Sequence, residues 1–321
     1  MGEFDLIKRY FNRQLPKFGV ELSIGDDCAI VAHQADTRIA ISTDTLVAGS
    51  HFLANISAAD LAYKSIAVNL SDLAAMGAKP AWISLALTLD KVDHDWLAEF
   101  SHSLFAILDR YQTTLIGGDT TRGPLALTIT AQGLLPKLDA LLRQNAKEGD
   151  WIFVSGTIGD SAAGLALLLD GRKILEDDDR YLVQRHLRPT PRVELGLALR
   201  SFSRCAIDIS DGLLADLNHI LESSQVGAEI YLEHLPLSTP LLNRNNREQA
   251  EQFALTGGED YELCFTVADD KRAEMEQVLH SQGMKVTCIG KIVAVKNGMQ
   301  LFKYGQPVAF PTQIGFDHFN E

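Results

Sequence analysis

Six short acidic segments stand out in this chain, each following an apolar stretch and each flanked by Gly, Ser, Thr or Asn. They are Ile24-Gly25-Asp26-Asp27, Ser42-Thr43-Asp44, Asn69-Leu70-Ser71-Asp72, Gly117-Gly118-Asp119, Asp208-Ile209-Ser210-Asp211-Gly212 and Gly257-Gly258-Glu259-Asp260. Carboxylates repel one another and resist desolvation, so a fold that gathers them normally places cations in the same region. Hard oxygen ligands with little His or Cys beside them suit Mg²⁺, and Mg²⁺ commonly accompanies a phosphorylated substrate. The chemistry to expect is magnesium-dependent phosphoryl transfer at a site built from scattered acidic loops.

Each segment also has a plainer reading. Gly25-Asp26-Asp27 suits a hairpin turn. Ser42-Thr43-Asp44-Thr45 is harder to dismiss, because four polar residues interrupt what would otherwise be a buried strand. Ser65, Asn69 and Asp72 share one helical stripe by i, i+4, i+7 spacing, which a solvated face would also explain. Gly117-Gly118-Asp119-Thr120-Thr121 reads as a Gly-rich turn after a strand, able to approach a phosphate closely. Asp208-Ile209-Ser210-Asp211-Gly212 ends a strand and opens a helix, where free N–H groups favour anions and Asp211 could serve simply as a cap. Arg143 could clamp a nucleotide phosphate or lie in solvent. His51 could touch substrate or satisfy a local hydrogen bond. The chain has no GxxxxGK[ST], no GxGxxG after its first strand and no HRD/DFG pair, which disfavours the common nucleotide-binding folds.

The elements that must carry these residues follow from periodicity and punctuation. Strands are expected over 38–46, 81–89, 113–116 and 125–134. A helix capped by Ser57 runs to Met76, stopped by Gly77 and Pro80, and an amphipathic helix covers 93–111. The polar stretch 136–149 is the expected boundary between a domain of residues 1–137 and one of 138–321. Beyond it, strands are expected at Trp151–Ser155, 205–209, 228–232, 261–267, 286–293 and 300–303. Helices are expected at Asp160–Leu169, 179–187, 192–202, 213–223, 248–255 and 269–282. Alternating elements of this kind imply α/β, or α+β, layers in two domains.

Bulk composition narrows the class. The 321 residues are 46% hydrophobic and 22% charged, as in a soluble globular enzyme. Lys and Arg number 29 against 42 Asp and Glu, a net charge of −13 that argues against a general nucleic-acid binder. Cys28, Cys205, Cys264 and Cys288 are far apart in apolar contexts, as expected of buried free thiols in a reducing compartment. The N-terminus is charged from Glu3 and has no signal-peptide core, and no apolar run approaches a membrane span. A cytoplasmic location is expected.

Taken in order, the segments resemble the thiamine-monophosphate kinases, within the superfamily that includes aminoimidazole ribonucleotide synthetase and selenophosphate synthetase. The resemblance spans nearly the whole chain and is most specific over residues 24–28, 41–52, 67–77, 116–124, 186–191, 207–213 and 257–263. It implies ATP-dependent phosphorylation of thiamine monophosphate to thiamine diphosphate. It also implies a homodimer whose N-terminal mixed sheets join across a two-fold axis, each followed by an α/β C-terminal domain. Carried over by position, Asp27, Ser42, Thr43, Asp44, Asp72, Asp119, Asp208 and Asp211 match residues that hold several Mg²⁺ ions. Asp44, Asp72, Asp119 and Asp208 are the ones expected to matter most for catalysis. Tyr111, Gly118, Asp119, Arg143 and Ser210 match nucleotide contacts, and His51, Glu259 and Phe316 match positions around the thiamine. Asp26 and Asp260 are left with turn or support roles. The rivals are another ATP-dependent synthetase of the superfamily, amidine-forming or selenophosphate-forming, and a non-catalytic acidic protein on the same fold.

Overall fold

The computed structural model describes residues 7–12, 19–22, 30–31, 36–137, 139–171, 176–312 and 315. The chain divides into two compact units, one formed by Met1–Leu73 and Ala78–Leu138, the other by Ala74–Gly77 and Asp139–Glu321.

Short strands β1 (Val20–Leu22) and β2 (Ile30–Val31) pair antiparallel in the first unit. Its main sheet contains β3 (Thr37–Val47), β4 (Lys79–Leu89), β5 (Thr114–Arg122) and β6 (Ala126–Pro136) in the order β3-β6-β4-β5. The sheet is mixed, with β4 and β5 parallel and the other neighbours antiparallel. Helix α1 (Ala58–Ala75) begins where Ser57 Oγ accepts the Asp60 N–H at 3.0 Å. It ends in a Schellman turn: Gly77, at φ +67°, donates to Ala74 O and Ala78 donates to Leu73 O. Leu61, Ile66, Leu70 and Leu73 are at most 1% exposed, so this helix is core rather than surface. Ser65 and Asn69 are fully buried as well, which overturns the solvated-stripe reading for those two residues. Helix α2 (His94–Arg110) is capped by Asp93 and buries Leu97, Phe100, Leu104 and Leu108.

Two sequence expectations are corrected in this sheet. Ser42–Thr45 does not interrupt a strand, because β3 runs unbroken and pairs residue for residue with β6. Its polar residues alternate between faces, a pattern an edge strand tolerates. Likewise residues 117–121 are not a turn but the continuation of β5 along β4. A register shift between Ile83 and Ser84 falls opposite Ile116, just before Gly117 pairs with Ser84. Gly118 follows at φ +149°, and a Cβ there would lie 1.8 Å from Leu85 O. Only glycine permits that approach of the two backbones.

The second unit centres on a seven-stranded mixed sheet. Its strands are β7 (Trp151–Ser155), β8 (Cys205–Asp208), β9 (Val226–Tyr231), β10 (Leu263–Val267), β11 (Val286–Ala294), β12 (Met299–Lys303) and β13 (Gln306–Val308). They lie in the order β13-β12-β9-β11-β7-β10-β8. Helices α3 (Asp160–Leu169), α4 (Asp177–Leu187), α5 (Val193–Leu199), α6 (Leu213–Ser224), α7 (Thr239–Arg244), α8 (Arg247–Thr256) and α9 (Asp269–Ser281) complete it. Leu213, Leu217 and Ile220 of α6 share one core with Ile152, Ile207 and Ile289 of the sheet. Helix α5 is shorter than the 192–202 expected, and α7 was not foreseen. Cys205 and Cys264 are buried free thiols, Cys288 is only half-buried, and Cys28 lies outside the described residues. Among the described residues no helix is long and apolar enough to cross a membrane.

Candidate active site

In the first unit the alternation of β3 decides which polar groups can act together. Ser42, Asp44 and Leu46 are the partly or fully buried positions, whereas Thr43 and Thr45 are exposed between them. The Ser42 hydroxyl donates to Asp72 Oδ2 on α1. Burial, together with the charge of Asp72 and a hydrogen bond to it, pushes the Asp44 carboxyl up to about 7. A carboxyl raised by burial and by a second carboxylate beside it is the arrangement that a hard dication relieves, so these residues fit Mg²⁺. The Thr43 hydroxyl belongs to the other face, 3.0 Å from Thr130 Oγ1, so a share in that cation site would fall to its main chain.

Asp119 and Gly118 sit on β5, the opposite edge of the sheet from β3, and Asp119 is exposed. Tyr111, at the end of α2, is 7% exposed, and the Arg110 guanidinium lies 5.3 Å from its ring centroid. His51 Nδ1 accepts the Val47 N–H at 3.0 Å, which leaves Nε2 to carry the proton of the neutral ring. Asp27 and Phe316 lie outside the described residues. Among the described residues no group of three or more His, Cys, Asp or Glu forms a metal cluster, so the Asp44–Asp72 pair is a partial donor set.

The second unit presents Asp208, Ser210, Asp211 and Glu259 on two crossing loops. Asp208 is 3% exposed at the end of β8, directly opposite Leu263 of β10. The loops are stitched by main-chain bonds: Ile209 N to Glu262 O at 2.8 Å, Tyr261 N to Ile209 O at 2.9 Å and Glu259 N to Ser210 O at 2.7 Å. A Cβ on Gly258 would meet Ser210 O at 2.5 Å, which explains the second glycine of the pair. Glu259 and Tyr261 adopt left-handed backbones, at φ +66° and +52°. Such conformations persist only where surrounding contacts enforce them. The resulting alternation leaves Glu259 and Tyr261 half-buried and takes Asp260 and Glu262 into the interior. Arg143 occupies a short 3₁₀ turn; its carbonyl accepts from Ser224 Oγ at 2.7 Å and its side chain is exposed.

Asp260 has a support role, as the sequence suggested, while Glu262, Arg185, Arg192 and His186 went unnoticed there. Asp260 accepts the N–H groups of Gly159 and Ser161 at 2.6 and 3.1 Å, capping α3 from a distant loop. Glu262 receives Arg185 at 2.8 Å, Arg192 Nε at 2.5 Å and the Ser155 hydroxyl at 2.5 Å. His186 Nδ1 lies 3.3 Å from Glu259 Oε2 and 3.1 Å from Ser161 Oγ, steadying the loop acid. Burial alone would lower the Arg185 pKa, but Glu262, Asp260 and Asp160 raise it above its ordinary value. The signal that could have found this network is the density of charge over 185–192 and 259–262, two stretches that also carry the resemblance.

A pH dependence follows. Burial raises Asp216 and Asp260 to about 7, as it does Asp44, so the native state holds these protons more tightly than the unfolded chain does. The unfolded carboxyls titrate near 4, so stability from this source is full below that value and is lost as pH rises towards 7. In EDTA the melting temperature is therefore expected to fall between pH 5 and 7.5. Millimolar Mg²⁺ should reduce the fall, and Asp44→Asn should abolish the Mg²⁺ effect. A flat EDTA profile, or one insensitive to Mg²⁺, would contradict the assignment.

The AIR synthase related protein N-terminal domain matches residues 25–135 and the corresponding C-terminal domain matches residues 147–300. The chain is 55% identical over 324 residues to a thiamine-monophosphate kinase of Haemophilus influenzae, covering 100% of this chain and 99% of the relative. The crystal structure of a thiamine-monophosphate kinase from Stenotrophomonas maltophilia K279a superposes with a TM-score of 0.85 at 43% identity, covering 95% and 96% of the two chains. The solved complex of AaThiL with AMPPCP and TMP superposes with a TM-score of 0.79 at 32% identity, covering 98% and 96%.

Proposed function

Because the chain belongs to the AIR synthase related proteins, and within them to the thiamine-monophosphate kinases, we propose that it transfers the γ-phosphoryl group of ATP to thiamine monophosphate. The products are thiamine diphosphate and ADP. The observation that carries this reading is full-length identity of 55% to a kinase of that name. The same identity favours the kinase over the amidine-forming and selenophosphate-forming rivals.

The nucleophile is a phosphate oxygen of thiamine monophosphate. A phosphate monoester loses its second proton near pKa ~6, so it is largely dianionic at neutral pH and needs no general base. The obstacle is anion meeting anion: one pair of unit charges at ~4 Å and an effective dielectric of ~20 costs about 4 kcal/mol. Several Mg²⁺ ions, when bound, supply the charge neutralisation and alignment that offset this repulsion. Asp44, Asp72 and Ser42, with Asp27, Thr43 and Asp119, are the residues assigned to hold them in the first unit; Asp208 and Asp211 are assigned in the second. Gly118, Asp119, Tyr111, Arg143 and Ser210 receive the nucleotide. Glu259, steadied by His186, takes the thiamine side together with His51 and Phe316.

The wider assignment belongs to the same proposal. Residues 1–137 bind nucleotide and metal and dimerise, and residues 138–321 form the C-terminal α/β domain. Among the described residues β3 is an edge strand, and Ile39 and Ile41 on it are 36% and 66% exposed, which supports a homodimer. A cytoplasmic location rests on the free thiols and the nucleotide chemistry.

The test is product analysis. Incubating the protein with ATP, Mg²⁺ and thiamine monophosphate should yield thiamine diphosphate and ADP in equal amounts. ATP turnover independent of thiamine monophosphate would overturn the reading in favour of a synthetase, and no turnover would favour the non-catalytic rival. Transfer is expected to be direct and in line. With γ-labelled ATP, label should pass to product without residing on the protein, and covalent label during turnover would sink the direct route.

A further inference from the structure

The loop that carries Asp208, Ser210 and Asp211 is held by a residue that the assignments above leave without a role. Asp216, in the first turn of α6, is 2% exposed. Its Oδ2 accepts three consecutive amides, those of Ser210 at 3.0 Å, Asp211 at 3.0 Å and Gly212 at 3.1 Å. Amides at a helix start are ordinarily met by the side chain of the capping residue. Here the cap is Gly212, which has none, so the acceptor comes from inside the helix, four residues further on. Gly212 stands at φ +123°, and a Cβ on it would press on the Thr256 main chain at 2.9 Å. From the other side, Glu259 N–H donates to Ser210 O and Tyr261 N–H to Ile209 O. The main chain of 210–212 is thus bonded on both sides. Asp216 is too deeply buried to meet a ligand itself.

We propose that Asp216 is a positioning residue for phosphoryl transfer: by fixing the main chain of 210–212 it sets the Ser210 hydroxyl and the Asp211 carboxylate for the metal–nucleotide complex. The inference rests on the functional reading above. It assigns the loop geometry to one carboxylate oxygen rather than to the loop's own sequence. The acceptor placed there has to be compact and at one distance: three N–H groups converge on a single oxygen, and a longer side chain would push that oxygen past them.

The test compares the full-length wild type with Asp216→Asn, which keeps the shape and loses the charge, and Asp216→Glu, which keeps the charge and misplaces it. Both variants are expected to raise KM for Mg·ATP about tenfold, the range typical of removing a group that orients a ligand. They should lower kcat less than threefold and leave KM for thiamine monophosphate unmoved. Amide exchange at 210–212 should accelerate at least tenfold in both, while exchange in β9 stays as in wild type. Full rescue by Asp216→Glu would mean that only the charge matters, and the positioning role falls. KM values for both substrates moving together with the melting temperature would leave a merely structural role and also overturn it. Should neither variant fold, the wild type decides. Its 210–212 amides are expected to be protected without nucleotide, and fast exchange until Mg²⁺ and a non-hydrolysable ATP analogue are added would refute the proposal. Absence of thiamine monophosphate turnover in wild type would count against the functional reading instead, while analogue binding and amide exchange still report on Asp216.

Discussion

Replacing Asp72 with Asn is expected to lower kcat by about a thousandfold, a transition-state loss of roughly 4 kcal/mol. A magnitude of that size is what removal of one preorganised charge-stabilising group typically costs in an active site. Asn keeps the size of the side chain and can still accept the Ser42 hydroxyl, so the local packing of α1 against β3 has no reason to change. What disappears is one negative charge next to Asp44. Without it the Asp44 carboxyl should titrate lower, because part of its upward shift comes from the charge of Asp72 and the hydrogen bond to it. The native state meanwhile loses a like-charge repulsion. The expected signature is therefore a near-inactive enzyme whose melting temperature in EDTA equals or exceeds that of wild type. Wild-type kcat at saturating Mg²⁺ would remove Asp72 from the metal site. A lowered melting temperature would assign it a structural role instead.

Glu262→Ala should produce the largest loss of stability. The Glu262 side chain is wholly buried, and Arg185, only 11% exposed, depends on it. Arg192 contributes a second, two-pronged contact and Ser155 a hydroxyl. A buried pair is a weak source of net stability, but removing one partner leaves the other charge desolvated and uncompensated, at a cost of ~3–5 kcal/mol. Against a typical total of ~5–15 kcal/mol, that is roughly a fifth or more of what holds a domain folded. Urea denaturation should show the midpoint of the C-terminal unit shifted down, with Glu262→Gln intermediate because it retains an acceptor for one guanidinium. Activity should fall as well: alanine keeps the main-chain carbonyl that receives Ile209 N–H, but the segment that presents it to the 208–212 loop loses its side-chain anchor to Arg185, Arg192 and Ser155. An alanine variant within ~0.5 kcal/mol of wild type, the range of ordinary surface substitutions, would show that the network carries no weight.

These two residues mark the boundary of what could be read in advance. Asp72 was visible because it stands in one of several similar acidic segments, whose company outweighed the solvated-face reading that the helix alone would allow. Glu262 was not, because its partners lie 70 to 107 residues away and nothing local distinguishes it from a strand-edge glutamate. Asp216 was hidden for a similar reason. An acid in the first turn of a helix is common, and only the path of the preceding loop turns it inward onto three amides.

Some elements were misread for the same physical reason. Residues 117–121 carry turn-like glycines, yet they form a strand because β4 supplies hydrogen-bond partners in parallel register and demands glycine at 118. Ser42–Thr45 reads as a break, yet pairing with β6 carries the strand through it. Strand identity depends on a neighbour distant in sequence, whereas helix start and stop signals are local. That difference is why Ser57 and Gly77 could be placed as cap and stop from residue type alone.

By itself, then, the sequence determined where the acidic segments lie, the α/β class and the kinase resemblance, because residue chemistry and short-range spacing are written directly in the chain. Only the tertiary structure decided which donors share a face and which carboxylates are buried supports. Those outcomes depend on desolvation and on partners that the fold, not the local sequence, brings within hydrogen-bond reach.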